Sequence, residues 1–284
     1  MKLLYPFAKR FIAGHDFDSA KPKIEQLMDD GYEVSIDYLG ELSKTFEDCA
    51  KAREQYLEII DFYKNKKIDI SIKPTQLGLL ISKNLAYSFV WDVVERASKY
   101  EHTVRLDMED SNVTEETIQL CLKIKSSLPN VGVALQANLY RTEIDITDLI
   151  KKGVSVRLVK GAYPENNKIA RQNVFDIGAC FFDYAARLYS SKANKPAIAT
   201  HDEELLEDIQ ELIPNPSYFD YEFLYGVRRD IQKALKNKGY RVRIYIPFGR
   251  DWFPYCLRRL KEFKNLKFII KNLFYETVTA RPFK

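Results

Sequence analysis

Residues 103–136, TVRLDMEDSNVTEETIQLCLKIKSSLPNVGVALQ, contain the pattern that decides the fold. Thr103–Asp107 and Val131–Gln136 are short runs rich in β-branched and other apolar residues, as expected of buried strands. Between them, Thr114–Leu122 repeats apolar residues at intervals of three and four, which predicts an amphipathic helix. A strand, a helix and a second strand in this order form the repeating unit of a parallel sheet.

The same alternation continues along the rest of the chain. Further helical patterns lie at Phe46–Tyr63, Val174–Tyr189 and Glu203–Ile213. A chain of 284 residues is close to the length of about 250 residues typical of a (βα)₈ barrel. We therefore predict one α/β domain, residues 1–284, folded as a TIM-type (βα)₈ barrel, with an open parallel sheet as the alternative. The predicted strands are Glu33–Tyr38, Ile68–Lys73, Thr103–Asp107, Val131–Gln136, Val154–Val159, Pro196–Thr200, Tyr218–Leu224 and Arg241–Ile246.

The composition argues against several classes of protein. The 44 Lys and Arg residues are interleaved with 40 Asp and Glu residues, whereas a nucleic-acid-binding protein would concentrate its positive charge on one face. The four cysteines and three histidines are scattered without the spacing of zinc ligands, so we expect neither disulfides nor a metal site. No stretch reaches the roughly 18 apolar residues of a membrane-spanning helix. These features favour a cytoplasmic protein with no nucleic-acid partner.

In a barrel, functional residues lie at the carboxyl ends of the strands, and these ends can be located in the sequence. Some polarity is expected wherever a strand ends in solvent, which is the alternative at each single position. The frequency of Lys, Asp, Arg and His at these ends, rather than of Ser, Gly and Asn, favours a functional site. The polar residues at the strand ends are Lys73, Asp107, Gln136, Arg157, Lys160, Tyr163, Thr200, His201, Glu222 and Tyr245.

The segment after the last strand, Asp251–Glu262, has helical spacing. Tyr255, Arg258, Arg259 and Glu262 fall at i, i+3, i+4 and i+7, so they share one helix face. This face could be solvated, with an ordinary Arg258–Glu262 ion pair worth about 0.2–0.5 kcal/mol. Paired arginines beside a tyrosine also suit a site that binds a carboxylate in bidentate fashion and packs an apolar ring, which predicts a small amino or carboxylic acid as ligand.

The glycines do not form either of the common nucleotide-binding fingerprints, GxGxxG or GxxxxGK[ST]. The sequence therefore offers no signal for a Rossmann site or a P-loop. Any nucleotide cofactor must be held by the loops of the barrel.

Seven ordered motifs resemble those of proline dehydrogenases, between about Phe7 and Glu262. The resemblance implies a distorted (βα)₈ barrel whose last helix lies over the mouth, and an FAD cofactor bound without a Rossmann fingerprint. The motifs are SIKPTQLG (71–78), VRLDMED (104–110), VALQANLYRT (133–142), VRLVKGAY (156–163), ATHD (199–202), FLYGVRR (223–229) and RIYIPFGRDWFPYCLRRLKE (243–262).

The resemblance also implies a reaction and its partners. L-Proline would lose a hydride from the ring carbon next to nitrogen to the flavin, giving Δ1-pyrroline-5-carboxylate, and the electrons would pass to a quinone. Peripheral contact with a membrane is expected at most. Because no aldehyde dehydrogenase segment accompanies the motifs, a separate pyrroline-5-carboxylate dehydrogenase would consume the product.

By the same resemblance, residue roles can be assigned. Asp107 and Arg157 are the candidate catalytic residues, although a purely orienting role for Asp107 is left open. The substrate site would comprise Lys73, Ala162, Tyr163, Leu224, Tyr245, Tyr255, Arg258 and Arg259. The cofactor site would comprise Met108, Gln136, Arg157, Val159, Lys160, Gly161, Ala162, Thr200, His201 and Glu262.

Two alternatives remain at this stage. A Schiff-base lyase or aldolase is one, since (βα)₈ barrels often carry such chemistry and both Lys73 and Lys160 end strands. A flavin-binding relative without catalytic activity is the other.

Overall fold

The computed structural model describes residues 10–213 and 215–262, with side chains up to Arg258. The strands form one closed, fully parallel barrel in the order β1 to β8, and β8 pairs with β1 to complete it. This confirms the predicted barrel and excludes the open sheet. The strands are β1 (Glu33–Tyr38), β2 (Asp69–Ile72), β3 (Thr103–Leu106), β4 (Val131–Gln136), β5 (Ser155–Val159), β6 (Ala197–Ala199), β7 (Asp220–Leu224) and β8 (Arg241–Phe248).

Helices follow the strands around the outside of the barrel, and α1 precedes the first strand. The four helical patterns and the helix after β8 are confirmed, with ends that differ by at most a few residues from those predicted. In the described part of the chain the helices are α1 (Phe17–Asp29), α2 (Phe46–Phe62), α3 (Lys83–Ser98), α4 (Thr114–Lys125), α5 (Thr142–Lys151), α6 (Val174–Ser190), α7 (Glu203–Leu212), α8 (Arg229–Asn237) and α9 (Trp252–Glu262). None of them is long and apolar enough to cross a membrane.

The core lies between the barrel and its helices. Side chains alternate along each strand, and one set, which includes Ile36, Ile70, Leu106 and Leu158, is fully buried in the hydrophobic core. The other set faces the barrel axis and contains Ser35, Asp69, Ser71, Arg105, Arg157, Glu222 and Arg243, all of them buried. The interior of this barrel is therefore polar, and it leads upward into the site.

Helix α9 lies over the mouth of the barrel, as the resemblance implies. Tyr255 is 5% exposed and packs in a small apolar cluster with Phe11, Ile12 and Val227. Arg258 reaches Glu41 in the loop between β1 and α2. Helix α9 therefore contacts segments near both the first and the last strands of the barrel.

Candidate active site

A cavity of about 1080 Å³ opens at the carboxyl ends of the strands, beneath α9. Ligand pockets usually have volumes of about 300–1000 Å³, so this one has room for a large cofactor together with a small substrate. The side chains of Arg259 and Glu262 lie outside the described part. The predicted site residues that line the cavity are Lys73, Asp107, Met108, Gln136, Arg157, Val159, Lys160, Gly161, Ala162, Tyr163, Thr200, His201, Leu224, Tyr245, Tyr255 and Arg258.

Lys73, just after β2, is the buried cation on one side of the cavity. Its Nζ donates to Asp37 at 2.7 Å and lies 3.8 Å from Asp107. Burial by itself would lower the pKa of Lys73, but the two carboxylates outweigh it and raise the pKa. Lys73 is therefore a fixed positive charge rather than a neutral amine, which argues against its serving as the nucleophile of a Schiff-base enzyme.

Lys160, the other lysine considered for that chemistry, is also paired. Its Nζ lies 2.5 Å from Asp202, the residue before α7. The Schiff-base alternative therefore lacks a free amine at either predicted position.

Asp107 has both carboxylate oxygens occupied. Its Oδ1 accepts from Arg157 at 2.6 Å, and its Oδ2 accepts from the Tyr245 hydroxyl at 2.7 Å. Burial, followed by the charge of Asp107, raises the pKa of Tyr245, so the phenol remains a donor. Asp107 thus fixes the directions of a guanidinium and a phenol that both face the cavity.

Arg157, on β5, binds three carboxylates, and the sequence did not reveal these partners. Besides Asp107, it binds Glu222 from both Nε at 2.9 Å and Nη2 at 2.8 Å. Its Nη2 also contacts Asp69 at 3.1 Å. Burial opposes the charged form, yet these carboxylates raise the pKa of Arg157. A charged guanidinium is thereby held 2% exposed beneath the cavity.

Ser35, Asp69 and Ser71 form the floor under Arg157, and the sequence analysis missed them. The Oγ atoms of Ser35 and Ser71 each accept from Arg157 Nη2 at 2.9 Å. A usable signal was present, since the three residues occupy alternate positions of β1 and β2, where an apolar residue would normally fill the interior of a barrel.

Arg258 closes the cavity from above. Its Nη1 donates to Glu41 at 2.5 Å, and its guanidinium stands 5.7 Å from the ring centre of Tyr163. The side chain is 22% exposed, so the alternative of an ordinary solvated face does not hold for this residue.

The far end of the cavity lies near the start of α7. The N–H of Leu224 donates to Nε2 of His201 at 3.0 Å, which places the proton of a neutral ring on Nδ1. Asp202 caps the helix by accepting from the N–H of Leu205 at 3.3 Å. The sequence analysis also did not assign to the site several residues that line the cavity: Ala134, Val174, Ile177, Ala199, Asp202, Glu203, Glu204, Glu207, Phe223 and Arg228.

The side chains around the cavity suit a flavin dinucleotide. Apolar residues such as Val159, Ile177 and Met108 offer surface for ring systems, while Lys160 and Arg228 offer positive charge for phosphates. Gln136, at the end of β4, connects the loop after β3 with the loop after β5, since its Nε2 donates to the Glu109 carbonyl at 2.9 Å and its Oε1 accepts from the N–H of Ala162 at 3.4 Å. Gln136 also lines the cavity, so its amide adds a polar group beside this apolar surface.

Comparison with known proteins identifies one family. The model of the family described as proline dehydrogenase matches residues 20–269. Proline dehydrogenase 2 of Bacillus subtilis strain 168 is 34% identical over 274 residues, covering 94% of this chain and 90% of that protein. The proline dehydrogenase of Deinococcus radiodurans is 30% identical over 284 residues, covering 95% of this chain and 91% of its own length.

The fold also matches solved structures. Proline utilization A (PutA) of Bdellovibrio bacteriovorus, inactivated by N-propargylglycine, superposes with a TM-score of 0.87 at 22% identity over 98% of this chain. The chain spans 35% of that protein's length. This likeness supports the barrel architecture.

Proposed function

The chain belongs to the proline dehydrogenase family and oxidises proline, and we propose that it does so with FAD bound in the cavity above the strands. The observation that carries the proposal is the position of Arg258, Lys73 and Tyr245 around one end of a cavity with room for a second, larger ligand. In this view a single barrel domain performs the whole reaction.

FAD, when bound, would supply the acceptor for the hydride, which carries both electrons away from proline. Gln136, Lys160, Thr200 and His201 would hold it, together with Met108, Val159 and Gly161. The remaining contact from α9 would come from Glu262. Arg157 would place a positive charge beside the reactive part of the ring system, and its three carboxylate partners would keep that charge in one orientation.

The substrate would bind by its carboxylate. Arg258 on α9 would face the carboxylate from above and Lys73 would face it from the barrel wall, because both cations line the cavity together with Tyr163 and Tyr255. Arg259, the next residue of α9, would join them by the resemblance. Leu224, Ala162 and Tyr245 would enclose the ring. The carbon next to nitrogen would then point toward the cofactor, and as its hydride leaves, the nitrogen lone pair forms the C=N bond of Δ1-pyrroline-5-carboxylate.

Asp107 would orient rather than accept a proton. Both of its oxygens already accept hydrogen bonds, from Arg157 and from Tyr245. A general base must lie within hydrogen-bond reach of the proton that it removes, whereas Asp107 holds two donors that themselves line the cavity. In the proposed mechanism the amine of proline loses its proton to solvent before hydride transfer.

The electrons would pass on to a quinone, and the product to a separate pyrroline-5-carboxylate dehydrogenase. We place the enzyme in the cytoplasm, at most in peripheral contact with a membrane, because the four cysteines, all within the described residues, form no disulfide, as is usual in a reducing compartment.

Absorbance spectroscopy tests this proposal directly. The purified protein should show the bands of an oxidised flavin, and L-proline added without oxygen should bleach them. A soluble quinone should sustain turnover, whereas NAD should not. A colourless protein that cannot be reconstituted with FAD, or one that reduces NAD efficiently, would overturn the proposal.

A further inference from the structure

Glu109 is a buried carboxylate behind the residues that line the active-site cavity. It follows β3 by a few residues and is 3% exposed. Its Oε2 accepts from the main-chain N–H of Thr75 at 3.1 Å, and its Oε1 accepts from the hydroxyl of the same residue. The carboxylate thus joins the loop after β3 to the loop after β2.

Thr75 passes this connection on to a third loop. Its Oγ1 accepts from the N–H of Leu42 at 2.9 Å, in the loop between β1 and α2. Because this N–H can only donate, the single proton of the hydroxyl is directed to Glu109. Leu42 has a φ of 56°, a left-handed conformation that is unfavourable for leucine and must be held by its surroundings.

The residue before Leu42 is Glu41, the partner of Arg258. A continuous series of contacts therefore runs from Glu109 through Thr75 and the backbone of Leu42 to Glu41, and from there to α9. We propose that Glu109 is a positioning residue: by fixing the turn that carries Glu41, it sets where Arg258 stands over the substrate end of the cavity. The inference rests on the proposed contact between Arg258 and the substrate carboxylate.

The electrostatics of Glu109 give this role a pH signature. Burial raises the pKa of Glu109 to about 7, against the opposing effects of its hydrogen bonds with Thr75 and of the charge on Lys73. The charged groups that face it are Lys73, after β2, and Glu41, in the β1–α2 loop. Both carboxylate oxygens of Glu109 accept hydrogen bonds from Thr75. When Glu109 is protonated, one of these oxygens carries a proton that faces a donor of Thr75, so one of the two hydrogen bonds is lost. The turn should therefore be held above neutral pH and loosened as pH falls through about 7.

The first test measures substrate binding without turnover. The probe is tetrahydrofuran-2-carboxylate, which keeps the ring and carboxylate of proline but has oxygen in place of the nitrogen. For the wild-type holoenzyme its Kd should rise as pH falls from about 8 to about 6. Glu109→Gln should bind about tenfold more weakly at the upper pH and show no further pH dependence in this range. Asp110→Asn, the same change of charge one residue along, should behave like wild type.

The hydroxyl of Thr75 gives a second, independent variant pair. Thr75→Val should reproduce the weak binding of Glu109→Gln, and Thr75→Ser, which restores the hydroxyl, should bind like wild type. In a Glu41→Gln background, Glu109→Gln should add little, because the contact through which it acts is already lost. If Glu109→Gln does not fold, the Thr75 pair decides alone. Wild-type binding in Thr75→Val, or fully additive effects with Glu41→Gln, would overturn the proposal.

Hydrogen exchange separates this proposal from the assigned substrate. The amide of Leu42 should exchange faster in Glu109→Gln and Thr75→Val than in wild type or Asp110→Asn, with no ligand present. If the wild type does not bind the probe at all, the proposed substrate contact fails. Exchange at Leu42 that is unchanged in both variants overturns the role of Glu109, whatever the substrate.

Discussion

Arg258 is the residue on which recognition of the substrate carboxylate is expected to depend most directly. Its side chain lines the cavity and forms an ion pair with Glu41. A substrate carboxylate could take the place of Glu41 in this ion pair, or could bind Arg258 alongside it. Arg258→Met should lower kcat/KM for proline by the equivalent of about 2–4 kcal/mol, because a charge-assisted hydrogen bond is lost. Steady-state kinetics with proline and with pyrrolidine, which lacks the carboxylate, provide the measurement.

The comparison with pyrrolidine gives the prediction its control. Turnover of pyrrolidine should change little in Arg258→Met, since no carboxylate contact exists to be lost. Arg250→Met, at an exposed position just before α9, should leave both substrates unaffected. An equal loss on proline and pyrrolidine would mean that Arg258 supports the helix rather than the carboxylate.

The residues that face the cavity could be predicted, but most of their partners could not. Arg157 was recognisable at a strand end, whereas its contacts with Ser35, Asp69 and Glu222 join positions 122, 88 and 65 residues apart. Likewise, helical spacing placed Arg258 on one helix face, but it could not reveal the contact of Arg258 with Glu41, 217 residues away. Local patterns show which residues share a face, and only closure of the barrel decides what that face meets.

At the scale of elements, the start of α7 combines a helix cap with an ion pair. Asp202 accepts from the N–H of Leu205 and also binds Lys160 from the loop after β5. Asp202→Ala should lower the free energy of unfolding by about 1 kcal/mol, as is typical when a capping side chain is lost. Asp202→Asn, which keeps the capping oxygen, should stay within about 0.5 kcal/mol of wild type, since a partly exposed ion pair contributes little. Urea unfolding would contradict this if both variants lost the same stability.

The ends of the strands lie within two residues of those predicted from the sequence, and β7, for example, begins at Asp220 rather than at the predicted Tyr218. Strand β6 was predicted from Pro196 but begins at Ala197, because proline has no N–H to donate to the ladder. Strand β8 extends beyond the predicted Ile246 to Phe248, which pairs with Tyr38. The extra residues of β8 form a strand because they pair with β1, which is a neighbour of β8 only in the closed barrel. The local sequence pattern of β8 therefore could not predict them.

At the scale of the whole molecule, this barrel differs from the common arrangement in which branched apolar side chains fill the interior. Arginines and carboxylates occupy it instead, and they join β2, β3, β5, β7 and β8 across the axis. Buried charges are tolerated only when each is paired and hydrogen-bonded. The stability of the fold and the orientation of Arg157 therefore depend on the same network.

Asp69 is the carboxylate of this network where the two functions can be tested together. It is 2% exposed and accepts from Ser35 at 2.8 Å, from Thr103 at 2.6 Å and from Arg157 at 3.1 Å. All three partners donate hydrogen bonds to Asp69. In Asp69→Asn, one side-chain oxygen is replaced by an NH₂ group, which then faces at least one of these donors. We expect the free energy of unfolding to fall by about 3–5 kcal/mol at neutral pH, as when one partner of a buried ion pair is removed.

The pH dependence of that loss distinguishes the charge of Asp69 from its shape. Burial opposes ionisation, but Arg243, Arg105 and Arg157 outweigh it and hold the pKa of Asp69 below its ordinary value. Its contribution to stability is therefore fully present above the unfolded pKa of about 3.9 and is lost as pH falls through the lower folded value. The difference between wild type and Asp69→Asn should stay nearly constant from about pH 7 to about pH 4 and should shrink as the pH falls further, because protonated Asp69 and asparagine are both neutral. Asp18→Asn, which removes an exposed partner of Lys21, should change stability by less than about 1 kcal/mol throughout. A loss for Asp69→Asn that is as small as that of Asp18→Asn, or that stays constant down to low pH, would mean that the interior charges do not stabilise the closed barrel.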